Sequence, residues 1–103
     1  MGIVNMASSK TVLVLGGKGG LSQHYREAAE HEGYELLHFE KRVPPKARHG
    51  VGKAALVVVM VSMISHSLAE RVRELAPAGA EVVYLRSPSV SAFRNAISTH
   101  DNT

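Results

Sequence analysis

Three histidines and one glycine-rich turn are the parts of this sequence with the most chemical capacity. His24, His38 and His66 are separated by 14 and 28 residues. That spacing is no local metal motif, so it acquires meaning only if a fold gathers the rings. Neutral imidazole binds iron, copper, zinc or heme iron. The chain carries six histidines and no cysteine. Thiolate metal sites, disulfides and thiol nucleophiles are therefore excluded, and the histidines are the obvious metal ligands. His31, His49 and His100 read as surface residues.

The turn Gly16-Gly-Lys-Gly-Gly20 follows an apolar run and precedes a helical pattern. Glycine fills such a turn at low steric cost. With Lys18, the helix start behind it suits a phosphate, a carboxylate or a heme propionate. Glu40 stands about 20 residues downstream, where a dinucleotide fold keeps its ribose-binding acid. Two features oppose a nucleotide. Ser22 occupies the third glycine position, and the Gly-Lys-Ser/Thr ending of a P-loop is missing.

Catalytic patterns are absent. There is no Gly-x-Ser-x-Gly elbow, and aspartate occurs once, as Asp101. Ser65 and His66 are adjacent in sequence and so project differently, which does not make a nucleophile–base pair. The expectation is a binding protein and not an enzyme.

The elements that must position these residues follow from the apolar pattern. Thr11–Leu15 is a continuous apolar run, the mark of a strand covered on both faces. A helix is predicted from Ser22 to the stop at Gly33. Tyr34–Glu40 reads as a second strand and 41–53 as a basic, proline-containing loop. Ala54–Met63 is the third and most hydrophobic strand. A helix follows, with Ser67-Leu-Ala-Glu70 as its capping box, ended by Pro77 and Gly79. Glu81–Arg86 is the fourth strand and Val90–Ser98 the last helix. Residues 1–9 and 100–103 are expected to be tails around one domain, 10–99.

Alternating strands and helices predict an α/β fold. The simplest packing is a single-domain, Rossmann-like three-layer sandwich with a four-stranded parallel sheet, order 2-1-3-4. Such sheets bind ligands beyond the carboxyl ends of their strands, at the switch between strands 1 and 3. That edge should collect His24, His38 and His66 as metal ligands, and Gly17, Lys18, Tyr25, Arg26, Ser65, Arg86 and Ser87 as ligand- or anion-binding residues.

Composition fits one soluble domain. The chain has 103 residues, 45% hydrophobic and 20% charged, with a formal charge of +3. This is too mild a charge for a committed nucleic-acid binder. The longest apolar run, Ala54–Ile64 with Ser62 inside it, is about half the ~20 residues of a membrane span. No cationic-then-apolar leader opens the sequence, and a cytoplasmic protein is expected.

Several segments together resemble one family. They are Val12-Leu-Val-Leu-Gly-Gly17, His24-Tyr-Arg-Glu-Ala28, Leu37-His38, Leu56-Val-Val-Val59, Ser65-His66, Arg71-Val-Arg-Glu-Leu75 and Val83-Tyr-Leu-Arg-Ser-Pro-Ser-Val-Ser-Ala-Phe-Arg94. In order and spacing these are similar to the small bacterial domain-of-unknown-function 2325 family over residues 11–98. The resemblance implies a short α/β protein, sometimes found beside hemerythrin-like domains, with some relatives associated with heme or iron. By position, the family's tyrosine–arginine pair falls on Tyr25 and Arg26, its serine–histidine on Ser65 and His66, and its arginine–serine on Arg86 and Ser87. Ser62 stands where the family often has an acid, which favours a histidine-only or heme site over a carboxylate-rich one.

The function expected from the sequence is iron or heme binding through His24, His66 and His38, for oxygen or redox sensing or for iron or heme handling. Arg86, Arg26 and Lys18 would neutralise propionates or an anionic ligand such as dioxygen. The alternative is a phosphate- or nucleotide-binding regulatory module built on Gly17, Lys18, Ser22 and Ser87. A protein partner, or a homodimer through Val90, Phe93 and Ile97 of the last helix, is the third expectation.

Overall fold

The structure is a computed structural model that describes residues 10–101; the expected tail 1–9 lies outside them. Four strands, β1 (Lys10–Gly16), β2 (Tyr34–Phe39), β3 (Ala54–Met60) and β4 (Glu81–Leu85), form one sheet. Their order is β2-β1-β3-β4 and every neighbouring pair is parallel. The predicted architecture is the observed one.

The two central strands explain the continuous apolar runs. Val12, Leu13, Val14 and Leu15 of β1, and Leu56, Val57, Val58 and Val59 of β3, are all buried. Successive side chains point to opposite faces, so each strand feeds two cores. Val12, Val14, Leu36, Leu56, Val58 and Met60 meet Tyr25, Ala28, Ala29, Phe93 and Ile97 on one face. Leu13, Leu15, Val57 and Val59 meet Val43, Val51, Leu68, Val72 and Leu75 on the other. Burying each large side chain contributes about 1.5–3 kcal/mol.

Helices cover both faces. The first core is closed by α1 (Ser22–His31) and α5 (Val90–Asp101), and the second by the short helices α2 (Arg48–Val51), α3 (His66–Glu70) and α4 (Val72–Leu75). No helix of the described residues is long and apolar enough to cross a membrane.

The structure corrects four local expectations. The segment 41–53 is not wholly irregular: Pro45–Ala47 forms a 3-10 turn leading into α2, and Val43 and Val51 anchor it in the second core. Strand β3 stops at Met60, because the Met63 N–H turns back to the Met60 carbonyl, 3.0 Å away. The cap of α3 is Ser65 rather than Ser67: its Oγ accepts the Leu68 N–H at 3.2 Å. The last helix continues to Asp101, and His100, expected at the surface, is largely covered and bonded through Nδ1 to the Glu81 carboxylate.

Phe93 and Ile97, expected to be available to a second copy, are fully buried between α5 and the sheet. An amphipathic helix has one apolar stripe, and here the domain's own core uses it.

Candidate functional site at the carboxyl edge

The loops after the strands are tied to one another. Gly16 and Gly17 have φ of +91° and +85°, in the region that favours glycine. A Cβ on Gly16 would lie 2.5 Å from the Met63 carbonyl oxygen. The close approach lets the Gly17 N–H donate to that same oxygen at 2.6 Å. The loop after β1 thus lies directly on the loop after β3.

His38 and Tyr25 tie further segments to this turn. His38 Nε2 lies 2.7 Å from the Gly16 carbonyl oxygen and Nδ1 lies 3.0 Å from Ser22 Oγ. A carbonyl only accepts, so Nε2 carries the hydrogen, and Nδ1 of a neutral ring accepts from the Ser22 hydroxyl. The Tyr25 ring meets His38 and Phe93 edge-on, with centroids 5.2 and 5.4 Å away. Its hydroxyl donates to the Pro88 carbonyl beyond β4 and accepts the Lys18 N–H at 3.4 Å.

At the same edge lies an open cleft of about 290 Å³, lined by Gly17, Glu40, Lys41, Met63, Ile64 and Ser65. Val61 and Met63, on the loop after β3, are 45% and 42% exposed. The Val61 N–H donates to the Leu85 carbonyl at 3.0 Å, which brings this loop beside the end of β4 and Arg86. Ser65 Oγ donates to the Lys41 carbonyl at 2.9 Å, fixing the third side of the cleft. Lys41 is among its lining residues, and Lys18 and Arg86 are exposed on the loops after β1 and β4.

The structure distributes the expected ligands unequally. His66 opens α3 at the cleft margin with its side chain 90% exposed, and its Nε2 lies 2.9 Å from a Glu70 carboxylate oxygen. His24 is exposed on α1, across the sheet from α3, with Nδ1 3.9 Å from Glu27. His38 has both ring nitrogens engaged, by the Gly16 carbonyl and Ser22 Oγ. Among the described residues, no three His, Asp or Glu side chains are grouped to hold a metal ion. The fold brings the histidines' chain segments towards one edge, but the two helices present His24 and His66 from opposite layers.

The remaining expected residues divide between rim and scaffold. Lys18 and Arg86 are exposed on the loops after β1 and β4. Tyr25 is fully buried, and Arg26 reaches the Leu36 carbonyl of β2 at 3.4 Å instead of the cleft. Ser87 Oγ accepts the Ser89 N–H, shaping its own turn. The loop amides of Gly17 and Lys18 are spent inside the protein. The Glu40 carboxylate lies against Gly19, where an added Cβ would fall 2.4 Å from Oε2. Sequence reasoning missed Val61, Met63 and Lys41 as rim residues, having assigned the two apolar ones to strand 3. The polar Ser62 between them was the available signal that the strand had ended.

Comparisons with known proteins agree with this architecture. A family model described as an uncharacterised protein conserved in bacteria, DUF2325, matches residues 11–100. A de novo designed Rossmann fold protein superposes with a TM-score of 0.57 at 16% identity, covering 92% of this chain and 99% of the design. That likeness concerns the fold alone. No curated protein matches the sequence.

Proposed function

The chain belongs to the DUF2325 family of uncharacterised bacterial proteins, and from that premise we propose that it is a small heme-binding protein whose carboxyl edge holds the group through His66. The observation that carries this reading is the exposure of Val61 and Met63 on the loop that delivers His66. A porphyrin has a flat apolar body, one metal-binding direction and two carboxylates. An apolar platform, an accessible imidazole and surrounding cations match those three features.

Each residue has a separate task. With Nε2 turned to Glu70, His66 offers Nδ1 as the iron ligand. The carboxylate on the opposite nitrogen orients the ring. Val61, Met63 and Ile64 would offer the porphyrin's apolar body a surface, and Lys18, Lys41 and Arg86 would offer its propionates cations. One ligand from this chain satisfies a heme, so the separation of His24 from His66 does not oppose it; a non-heme iron ion needs the group of ligands absent among the described residues. A bound heme supplies redox-active iron, in keeping with oxygen or redox sensing or with heme handling.

A phosphate-bearing ligand suits the same edge less well. The Gly17 and Lys18 amides that would hold it are engaged within the protein.

The test is titration of the purified protein with hemin, followed by absorption. A saturable Soret band at one heme per chain or per pair of chains, lost in His66→Ala and kept in His24→Ala, is expected. No saturable band, or the same band in His66→Ala, overturns the proposal.

A further inference from the structure

The segments 41–53 and 65–77, which form the layer over the second core, carry a charge that the chain as a whole conceals. Lysine and arginine outnumber acids seven to two in them, whereas acids outnumber lysine and arginine seven to five in the rest of the chain. Both acids of the layer are engaged within it: Glu74 with Arg48 and Arg71, and Glu70 with His66. Lys41, Arg42, Lys46, Lys53 and Arg73 are exposed, and among the described residues no carboxylate pairs with any of them. The formal charge of +3 is thus the remainder of a basic layer and an acidic one. Its mildness records cancellation between two faces, and a field so divided orients an approaching polyanion.

The cations run the length of the layer. Lys41 and Arg42 follow the carboxyl end of β2, and Lys53 precedes the amino end of β3. Helix α2 lies over β2, with Gly50 against the Leu37 side chain, and is joined to α4 by the ion pair of Arg48 and Glu74, 3.4 Å apart. At the far margin of the same face stands Tyr84. It is paired in register with Val59, whose side chain lies in the second core, so the ring shares that face of the sheet. Tyr84 is 59% exposed, more than Val61 or Met63. From β2 to β4 the face spans three inter-strand spacings, about 14 Å.

From this we infer that the basic layer is a binding surface for single-stranded nucleic acid, its unpaired cations taking phosphates and Tyr84 stacking on one base. Cations that track a backbone, together with an exposed aromatic ring, are the combination a single strand uses, and every base has a face to stack. A duplex fits less well. The helices of the layer have four or five residues, too short to lay a row of side chains along a major groove. A membrane surface fits less well too. The apolar residues of these helices, Val51, Leu68, Val72 and Leu75, are buried in the domain's own core, which leaves no apolar stripe to enter the interface.

The surface is small, so binding is weak and steeply dependent on salt. It does not rest on the heme reading, and the test uses the heme-free full chain. A labelled oligothymidylate of about 12 nucleotides, followed by fluorescence anisotropy, should bind saturably at low salt, with log affinity falling against log salt at a slope of about −3. Arg42→Gln, Lys46→Gln and Arg73→Gln combined should make that slope shallower by about 2. Arg94→Gln, the same charge change on the opposite layer, should leave it unaltered. Tyr84→Leu should weaken binding at least about fivefold without changing the slope, and Tyr84→Phe, which keeps the ring, should restore it. No saturable binding at low salt overturns the inference. So does a slope unchanged in the triple variant, or wild-type affinity in Tyr84→Leu. A duplex bound as tightly as the single strand, or phosphatidylserine vesicles or polyglutamate displacing it as well as unlabelled oligothymidylate does, also overturns it and assigns the cations to that partner.

Discussion

His38 Nε2 stands 2.7 Å from the carbonyl oxygen of Gly16, 22 residues earlier in the chain. This bond joins the end of β2 to the turn after β1. It makes His38 part of the scaffold beneath the ligand edge, with its second nitrogen held by Ser22.

Replacing His38 with alanine leaves the Gly16 carbonyl without its donor. A half-buried acceptor deprived of its partner costs about 1–3 kcal/mol, and each kcal/mol lowers Tm by about 4–8 °C in a domain of this size. Thermal unfolding by circular dichroism measures this. A wild-type Tm in His38→Ala would show that the bond does not hold the turn.

The glycines of the turn should respond differently to alanine. Gly16→Ala combines a positive φ with a Cβ 2.5 Å from a backbone oxygen, and should lose at least the 1–3 kcal/mol of a strained backbone. Gly20 has no positive φ and no heavy atom within 4 Å of an added Cβ. Gly20→Ala should be neutral or add about 0.4–1 kcal/mol by restricting the unfolded chain. Urea unfolding of both variants should give midpoints on opposite sides, or one below and one level with the parent.

Tyr25→Phe keeps the ring contacts to His38 and Phe93 but deletes the hydrogen bond to Pro88. A loss of about 0.5–1.5 kcal/mol is expected, with faster amide exchange confined to the Lys18 and Ser87–Ser89 loops. Uniformly faster exchange would mean that the hydroxyl supports the whole fold and not the junction of two loops.

The hydrogen bond from Arg71, then its charge, with Arg48 adding to both, holds the Glu74 carboxyl below the usual carboxylate range. A group depressed on folding stabilises above its unfolded pKa, and that contribution disappears as pH falls through the folded value. Wild-type and Glu74→Gln proteins should therefore differ near neutrality and converge in acid. The pair is exposed, so molar salt should also erase the difference. A gap that persists in acid or in salt would assign the effect to packing.

The fold was legible because its signal is redundant. Val12–Leu15 and Leu56–Val59 are apolar at every position, and only burial on both faces of a parallel sheet explains such runs. Glycine turns and helix stops then set the order of elements. The site was legible as an edge but not as a set of side chains. Sequence position places His24 and His66 near strand ends, yet it does not say that α1 and α3 occupy opposite layers. Hydrophobicity alone carries strand 3 through Met63, whereas a single turn bond to Met60 ends it early and exposes Val61 and Met63. Tyr25 and Arg26 sit in a helical first turn beside the edge, and the direction of each side chain, inward to Pro88 or sideways to Leu36, is decided by packing that spacing does not encode.

The Met63 carbonyl, the Pro88 carbonyl and the Lys41 carbonyl each take a hydrogen bond from a different loop or helix. The rim is in this way laced shut beneath its surface before anything arrives. A molecule landing there needs no hinge to swing, so its association rate should track diffusion and charge, with no slow conformational phase.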